Sequence, residues 1–194
     1  FINTSGIGII QREMNVSCSN VRVGDAIIIS GTLADHGICI LNEREKLGLH
    51  PPIKSDVAAV YPLVKSCLGL APYLHSMRDP TRGGLVSVLN EIAKASRVGI
   101  KIFEEKIPVK KAVAQACEIL GLDYLSIANE GKVVLFVDAK KSESILARLQ
   151  KTAQGKNASI IGEVIRGSDV YLETKLSSTR LLPLLEGEAL PRIC

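Results

Sequence analysis

The dipeptide Asp79-Pro80 sets a boundary that any fold of this chain must respect. Proline has no backbone N–H to give, and it forces the residue before it out of helical backbone. A short run with strand character ends at Arg78, and a helix restarts beyond the break. Its apolar residues Leu85, Val88, Leu89, Ile92 and Ala93 follow the i, i+3, i+4, i+7, i+8 spacing of one buried face. Thr81, or Asp79 with Pro80 at the first helical position, is placed to cap it. Gly83 and Gly84 lack a Cβ and admit a close neighbour to the amides of the first turn. Those amides, the helix dipole and the charge of Arg82 together predict a phosphate-facing loop. The alternative is a βα turn whose glycines only permit close packing, and the pattern leaves both open.

The rest of the chain alternates strands and helices. Residues 1–10 and 26–30 read as strands; the second is built on Ile27-Ile28-Ile29, apolar on both faces as in a buried sheet. Residues 31–47 read as a helix stopped by Gly48, and 55–70 as a second helix kinked at Pro62. A strand follows at 98–103, then a helix with Val109, Ala112, Val113, Ala116, Ile119 and Leu120 on its face and Gly121 at its end. Strand 133–137, helix 142–150 and strands 159–165 and 170–173 complete the set. This mixed order predicts an α/β (α+β) fold, a mixed sheet covered by helices.

Composition excludes several function classes. Aromatic residues make up 4% of the 194, tryptophan is missing, and the net charge of +4 comes without a basic run. Nothing here resembles a base-stacking nucleic-acid platform. No apolar stretch has the length of a membrane span, and the first residues do not form a signal peptide. The five cysteines, Cys18, Cys39, Cys67, Cys117 and Cys194, are odd in number and lack CxxC spacing. A reducing cytoplasm is the compartment they predict. Cys39, Cys67 and Cys117 fall in apolar helices and read as packing.

Three further positions carry candidate chemistry. Asp35 and His36 open a helix, where His36 is either a polar contact to a substrate or a surface or capping residue. Glu130 stands in the turn Asn129-Glu130-Gly131 between two strand-like runs, either as a solvated carboxylate or as a catalytic base. From Ser177 the periodicity fails, and the sequence runs out through Pro191-Arg192-Ile193-Cys194. Residues 177–194, fully extended, reach roughly 60 Å. The chain also begins abruptly, with strand character from Phe1 and no initiator methionine, as a piece cut from a longer polypeptide does.

Met77-Arg78-Asp79-Pro80-Thr81-Arg82-Gly83-Gly84-Leu85, Gly31-Thr32 with Asp35-His36-Gly37, Ala128-Asn129-Glu130-Gly131-Lys132 and Pro191-Arg192-Ile193-Cys194 together resemble the HypE family of hydrogenase maturation factors. That family lies in the superfamily of aminoimidazole ribonucleotide synthetase and selenophosphate synthetase. The resemblance implies a C-terminal synthetase-like domain (1–176) and a substrate-carrying tail (177–194), without the family's N-terminal ATP-binding domain. It implies that Cys194 accepts a carbamoyl group from a HypF-type carbamoyltransferase. ATP with Mg²⁺ then dehydrates the group to a thiocyanate, whose cyanide passes to iron on a HypC–HypD complex. Asp79, Thr81, Arg82, Gly83, Gly84 and His36 are implied as nucleotide contacts and Glu130 as the base. The full-length protein is expected to be a homodimer, and the 194-residue chain alone to be inactive. Another ATP-dependent synthetase of the superfamily, or a non-catalytic docking module, are the competing expectations.

Overall fold

The computed structural model describes residues 3, 5–10 and 14–184; Arg192 and Cys194 lie outside them. Seven strands form one sheet: β1 (Ala26–Ile29), β2 (Leu74–Arg78), β3 (Gly99–Phe103), β4 (Val134–Val137), β5 (Ser159–Ile165), β6 (Val170–Glu173) and β7 (Thr179–Leu181). Their order across the sheet is β2-β4-β1-β5-β3-β6-β7. All neighbours are antiparallel except β3 and β6, so the sheet is mixed. Five helices accompany it: α1 (Asp35–Glu45), α2 (Tyr61–Cys67), α3 (Gly84–Ser96), α4 (Lys111–Leu120) and α5 (Ser142–Gln150).

The alternation of side chains along a strand explains the isoleucine run of β1. Ile27 and Ile29 join a core with Leu85, Leu89 and Ile92 of α3 and with Phe136. Ile28 joins the opposite core, with Leu63 of α2 and Ile145 and Leu149 of α5. Helices therefore cover both faces, as the order of elements predicts. A third, smaller core lies between α1 and α4, around Ile38, Val113, Ala116 and Cys117. No helix among the described residues is long and apolar enough to cross a membrane.

Four expectations need correction. Of residues 1–10, those described form no strand, and Ile7, Ile9 and Ile10 are exposed. A strand needs a neighbour to pair with, and none of the described residues supplies one. The helix expected over 55–70 begins only at Tyr61, with Pro62 in its first turn, where a missing N–H costs nothing. Helix α3 is preceded by Gly83 in left-handed backbone (φ 67°), without a side-chain cap from Asp79 or Thr81. On α4, Ile119 is exposed rather than packed. In addition, the tail expected from Ser177 starts as strand β7, and Leu182 is buried against the main core.

Candidate active site

The segment 125–133 gathers residues from four distant parts of the chain. Asn129 is its centre and is buried. Its Oδ1 accepts from the Ala34 N–H at 2.8 Å, and its Nδ2 donates to the carbonyls of Pro80 and Ile127, both at 3.0 Å. Ala34, just before α1, holds left-handed backbone at φ 68°, which an alanine adopts only at a cost of about 1 kcal/mol. The bond from Asn129 and complete burial hold it there. The Gly37 N–H, one turn into α1, donates to the Ala128 carbonyl at 3.2 Å.

Gly84 meets the same segment, whereas a Cβ on Gly83 would run into Ser87 of α3. Both glycines have positive φ, and a Cβ on Gly84 would stand 2.6 Å from the Leu125 carbonyl oxygen and 2.7 Å from that of Ile127. The Gly84 N–H is already engaged by the Thr81 carbonyl at 3.0 Å. Gly84 thus permits close packing of the helix start on segment 125–127. Arg82 is exposed beside the two glycines.

In front of the turn lies a cleft of about 310 Å³. Arg78, Asp79 and Thr81 come to it from the end of β2, and Glu130 and Lys132 from the approach to β4. Its apolar side includes Val60, Val64 and Met77. The pairing of β2 with β4, Arg78 opposite Val134, is what brings the two polar stretches together. Glu130 is half-buried, and no hydrogen bond or ion pair to its carboxylate occurs among the described residues. Arg78 is paired with Glu91 at 2.8 Å and also reaches the Cys18 sulfur. Those two partners raise its pKa, the Cys18 contact foremost, so its guanidinium stays charged. Lys132 is paired with Asp56 at 2.9 Å, and both side chains are more than nine-tenths buried.

Asp79, Thr81 and Glu130 are thus brought together, while His36 does not line the cleft. It is buried at the start of α1, with Nδ1 2.9 Å from Ser55 Oγ and Nε2 without a partner. Its neighbour Asp35 is buried as well; Oδ2 accepts from Thr32 Oγ1 at 2.5 Å and from Lys110 Nζ at 2.9 Å. Cys194, expected to carry the substrate, lies outside the described residues.

Sequence reasoning missed the roles of Asn129, Lys132 and Asp56. Asn129 has a turn residue's signature, and nothing in a pattern tells that its side chain is buried. Lys132 carried a signal, since a lysine at the mouth of an all-apolar strand is seldom buried without a partner. Asp56 had none, because it falls in a stretch that reads as helix.

The donor set also bears on the metal. No three His, Cys, Asp or Glu side chains come together as a cation site among the described residues. Of the described carboxylates, only Asp79 and Glu130 line the cleft. The resemblance implies Mg²⁺ for the full-length protein, where one or two carboxylates and the nucleotide phosphates would hold it; of the described residues, Asp79 on the cleft would be such a ligand.

A family model for the AIR synthase related protein, C-terminal domain, matches residues 22–175. The chain belongs to that family. The AIR synthase related domain is 43% identical over 196 residues to the carbamoyl dehydratase HypE of Azotobacter vinelandii, an alignment that covers all of this chain and 58% of that protein. The domain superposes on the crystal structure of a HypE–HypF complex with a TM-score of 0.86 and 44% identity, covering 88% of this chain and 56% of that one. For a crystal structure of hydrogenase maturation protein HypE in complex with ATP, the TM-score is 0.87 and the identity 40%, with coverage of 92% and 55%. The HypE likeness read from the motifs thus extends through the whole sequence, and the mixed, helix-covered sheet is that of the family. The chain spans a little over half the length of these relatives.

Proposed function

We propose that this chain is the tail-bearing part of an ATP-dependent carbamoyl dehydratase that serves in the maturation of nickel–iron hydrogenase. Its likeness over the whole sequence to carbamoyl dehydratases is the observation that supports this most. The cleft adds what a fold-level likeness cannot: a carboxylate without a partner beside a hydroxyl and two cationic side chains.

In this reading Cys194 carries the carbamoyl group as a thiocarbamate. Its oxygen is a poor leaving group, so it attacks the γ-phosphorus of ATP and later departs as phosphate. Two protons leave the nitrogen over the sequence and the C≡N bond forms, giving a thiocyanate, ADP and phosphate. Glu130 takes a nitrogen proton. Thr81 and the positive edge of the cleft face the developing phosphate, and the apolar wall of Val60, Val64 and Met77 limits competing water. A HypF-type transferase supplies the carbamoyl group, in keeping with the relative crystallised as a HypE–HypF complex. A HypC–HypD complex receives the cyanide. The protein works in the cytoplasm as a homodimer when full length, and the 194-residue chain alone does not turn over.

The test is mass spectrometry of the Cys194 peptide from the full-length protein, after incubation with the transferase and its carbamoyl donor. The expected product is a carbamoyl adduct on Cys194 that loses one water when ATP is added. An adduct on another residue, or one unchanged by ATP, overturns the reading.

A further inference from the structure

Segment 53–60, between α1 and α2, has no regular structure, yet it is held hard against the Glu130 turn. Ser55 Oγ meets His36 Nδ1 and accepts from the Val57 N–H at 3.1 Å, which anchors one part of it. The Asp56 side chain is 3% exposed. Its Oδ1 accepts from the Glu130 N–H at 3.1 Å, and its Oδ2 from Lys132 Nζ at 2.9 Å. Between these two contacts sits Gly131, where a Cβ would overlap the Asp56 carbonyl oxygen. A Cβ on Gly31 would in turn press on the Lys132 side chain, at 2.9 Å from Cε. Strap, turn and lysine are fitted to one another with no room for a methyl group.

An ion pair taken out of water is a poor device for stability alone, because an apolar pair of the same volume does as well. What an apolar pair cannot do is accept from the Glu130 N–H. The Glu130 carboxylate has no partner of its own, so its place on the cleft follows from its backbone, and Asp56 holds that backbone. We infer that Asp56 is a positioning residue for Glu130: one oxygen fixes the backbone that presents the carboxylate, and the other fixes Lys132 on the same cleft. This rests on the assignment of Glu130 as the base.

The test compares two charge-neutral double variants of the full-length protein, Asp56→Asn with Lys132→Met and Asp56→Leu with Lys132→Met. Neither leaves a lone buried charge, and only asparagine keeps an acceptor for the Glu130 N–H. The leucine variant is expected to convert carbamoylated Cys194 with a kcat roughly tenfold below the asparagine variant, since small misplacements of reacting groups are costly. KM for ATP should match between the two, and the Glu130 amide should exchange faster in the leucine variant. Gly131→Ala, which displaces the strap without altering the Asp56 or Lys132 side chain chemically, should also lower kcat and speed that exchange; it carries the test if the leucine variant does not fold. Equal kcat in the two double variants, or an unaffected Gly131→Ala enzyme, overturns the inference while the base assignment stands. A fully active Glu130→Gln enzyme removes the base assignment, and the inference falls with it.

Discussion

The side-chain amide of Asn129 donates to the carbonyl of Pro80 across 3.0 Å, joining two stretches that lie 49 residues apart in the chain. The backbone N–H of Asn129 donates to the same carbonyl at 3.1 Å. One proline carbonyl thereby ties the loop after β2 to the turn before β4, and these are the two polar walls of the cleft.

Asn129→Ala should cost about 3 kcal/mol, because the Ala34 N–H and the Ile127 carbonyl lose a buried partner together. Asn129→Asp keeps the acceptor for Ala34 but turns a carboxylate oxygen toward two carbonyls, so it should be no milder. Urea denaturation of both variants checks this; a loss well under 1 kcal/mol in both would show that the residue is not the clasp described.

Two glycines separate strain from crowding. Gly121 has φ 66° and nothing within 4 Å of where a Cβ would stand, whereas Gly84 has φ 60° and two carbonyl oxygens in the way. Gly121→Ala should cost about 1 kcal/mol, the left-handed penalty alone, and Gly84→Ala about 3 kcal/mol. Thermal melts of the two variants give the comparison, and equal losses would remove the crowding.

Burial pushes the Cys117 thiol up from the ordinary 9.0 to about 11, with Asp123 adding to it. Burial likewise takes Tyr124 from 10.0 to about 12, helped by Glu104 and Asp123. Both groups keep protons in the folded state that the unfolded chain releases. Their contribution to stability is complete below about pH 9 and is lost as the pH climbs through the folded values. Urea midpoints should be level up to about pH 9 and fall beyond it, and Cys117→Ala should flatten the first part of that fall.

Ending the chain after Leu176 should destabilise it by about 3 kcal/mol relative to ending it after Leu184. The residues between supply β7, the buried Leu182 side chain, its N–H bond to the Val170 carbonyl at 2.8 Å and its carbonyl's bond from Asn90 Nδ2 at 3.0 Å. Equal unfolding midpoints for the two lengths would place the end of the folded body before Ser177.

What could be read from the sequence was what repeats locally. The face of α3, the two-sided isoleucines of β1 and the stop at Gly121 are matters of spacing and backbone freedom, and all three stand in the structure. The misplaced features depend on distant neighbours. Residues 5–10 have the pattern of a strand but no partner among the described residues, and residues 179–181 have little pattern but pair with β6. The site divides the same way. Asp79, Thr81 and Glu130 could be picked out by type and position, but their meeting on one cleft depends on β2 lying beside β4. Asp56 could not be found at all, since its role comes from a strap that folds back on the turn.

The pairing of β2 with β4 slips between Leu74 and Ser76, then runs regularly through Met77 and Arg78 to the cleft. Such an irregularity takes up an extra residue without passing it on. A length change before Leu74 leaves the register of Met77 and Arg78 as it is, and the loop keeps its distance from Glu130. A residue added between Met77 and Arg78 has no such outlet; it shifts Asp79 and Thr81 by about 3.4 Å along the strand and turns Arg78 to the other face. Length is thus free to drift on one side of the slip and is locked on the other.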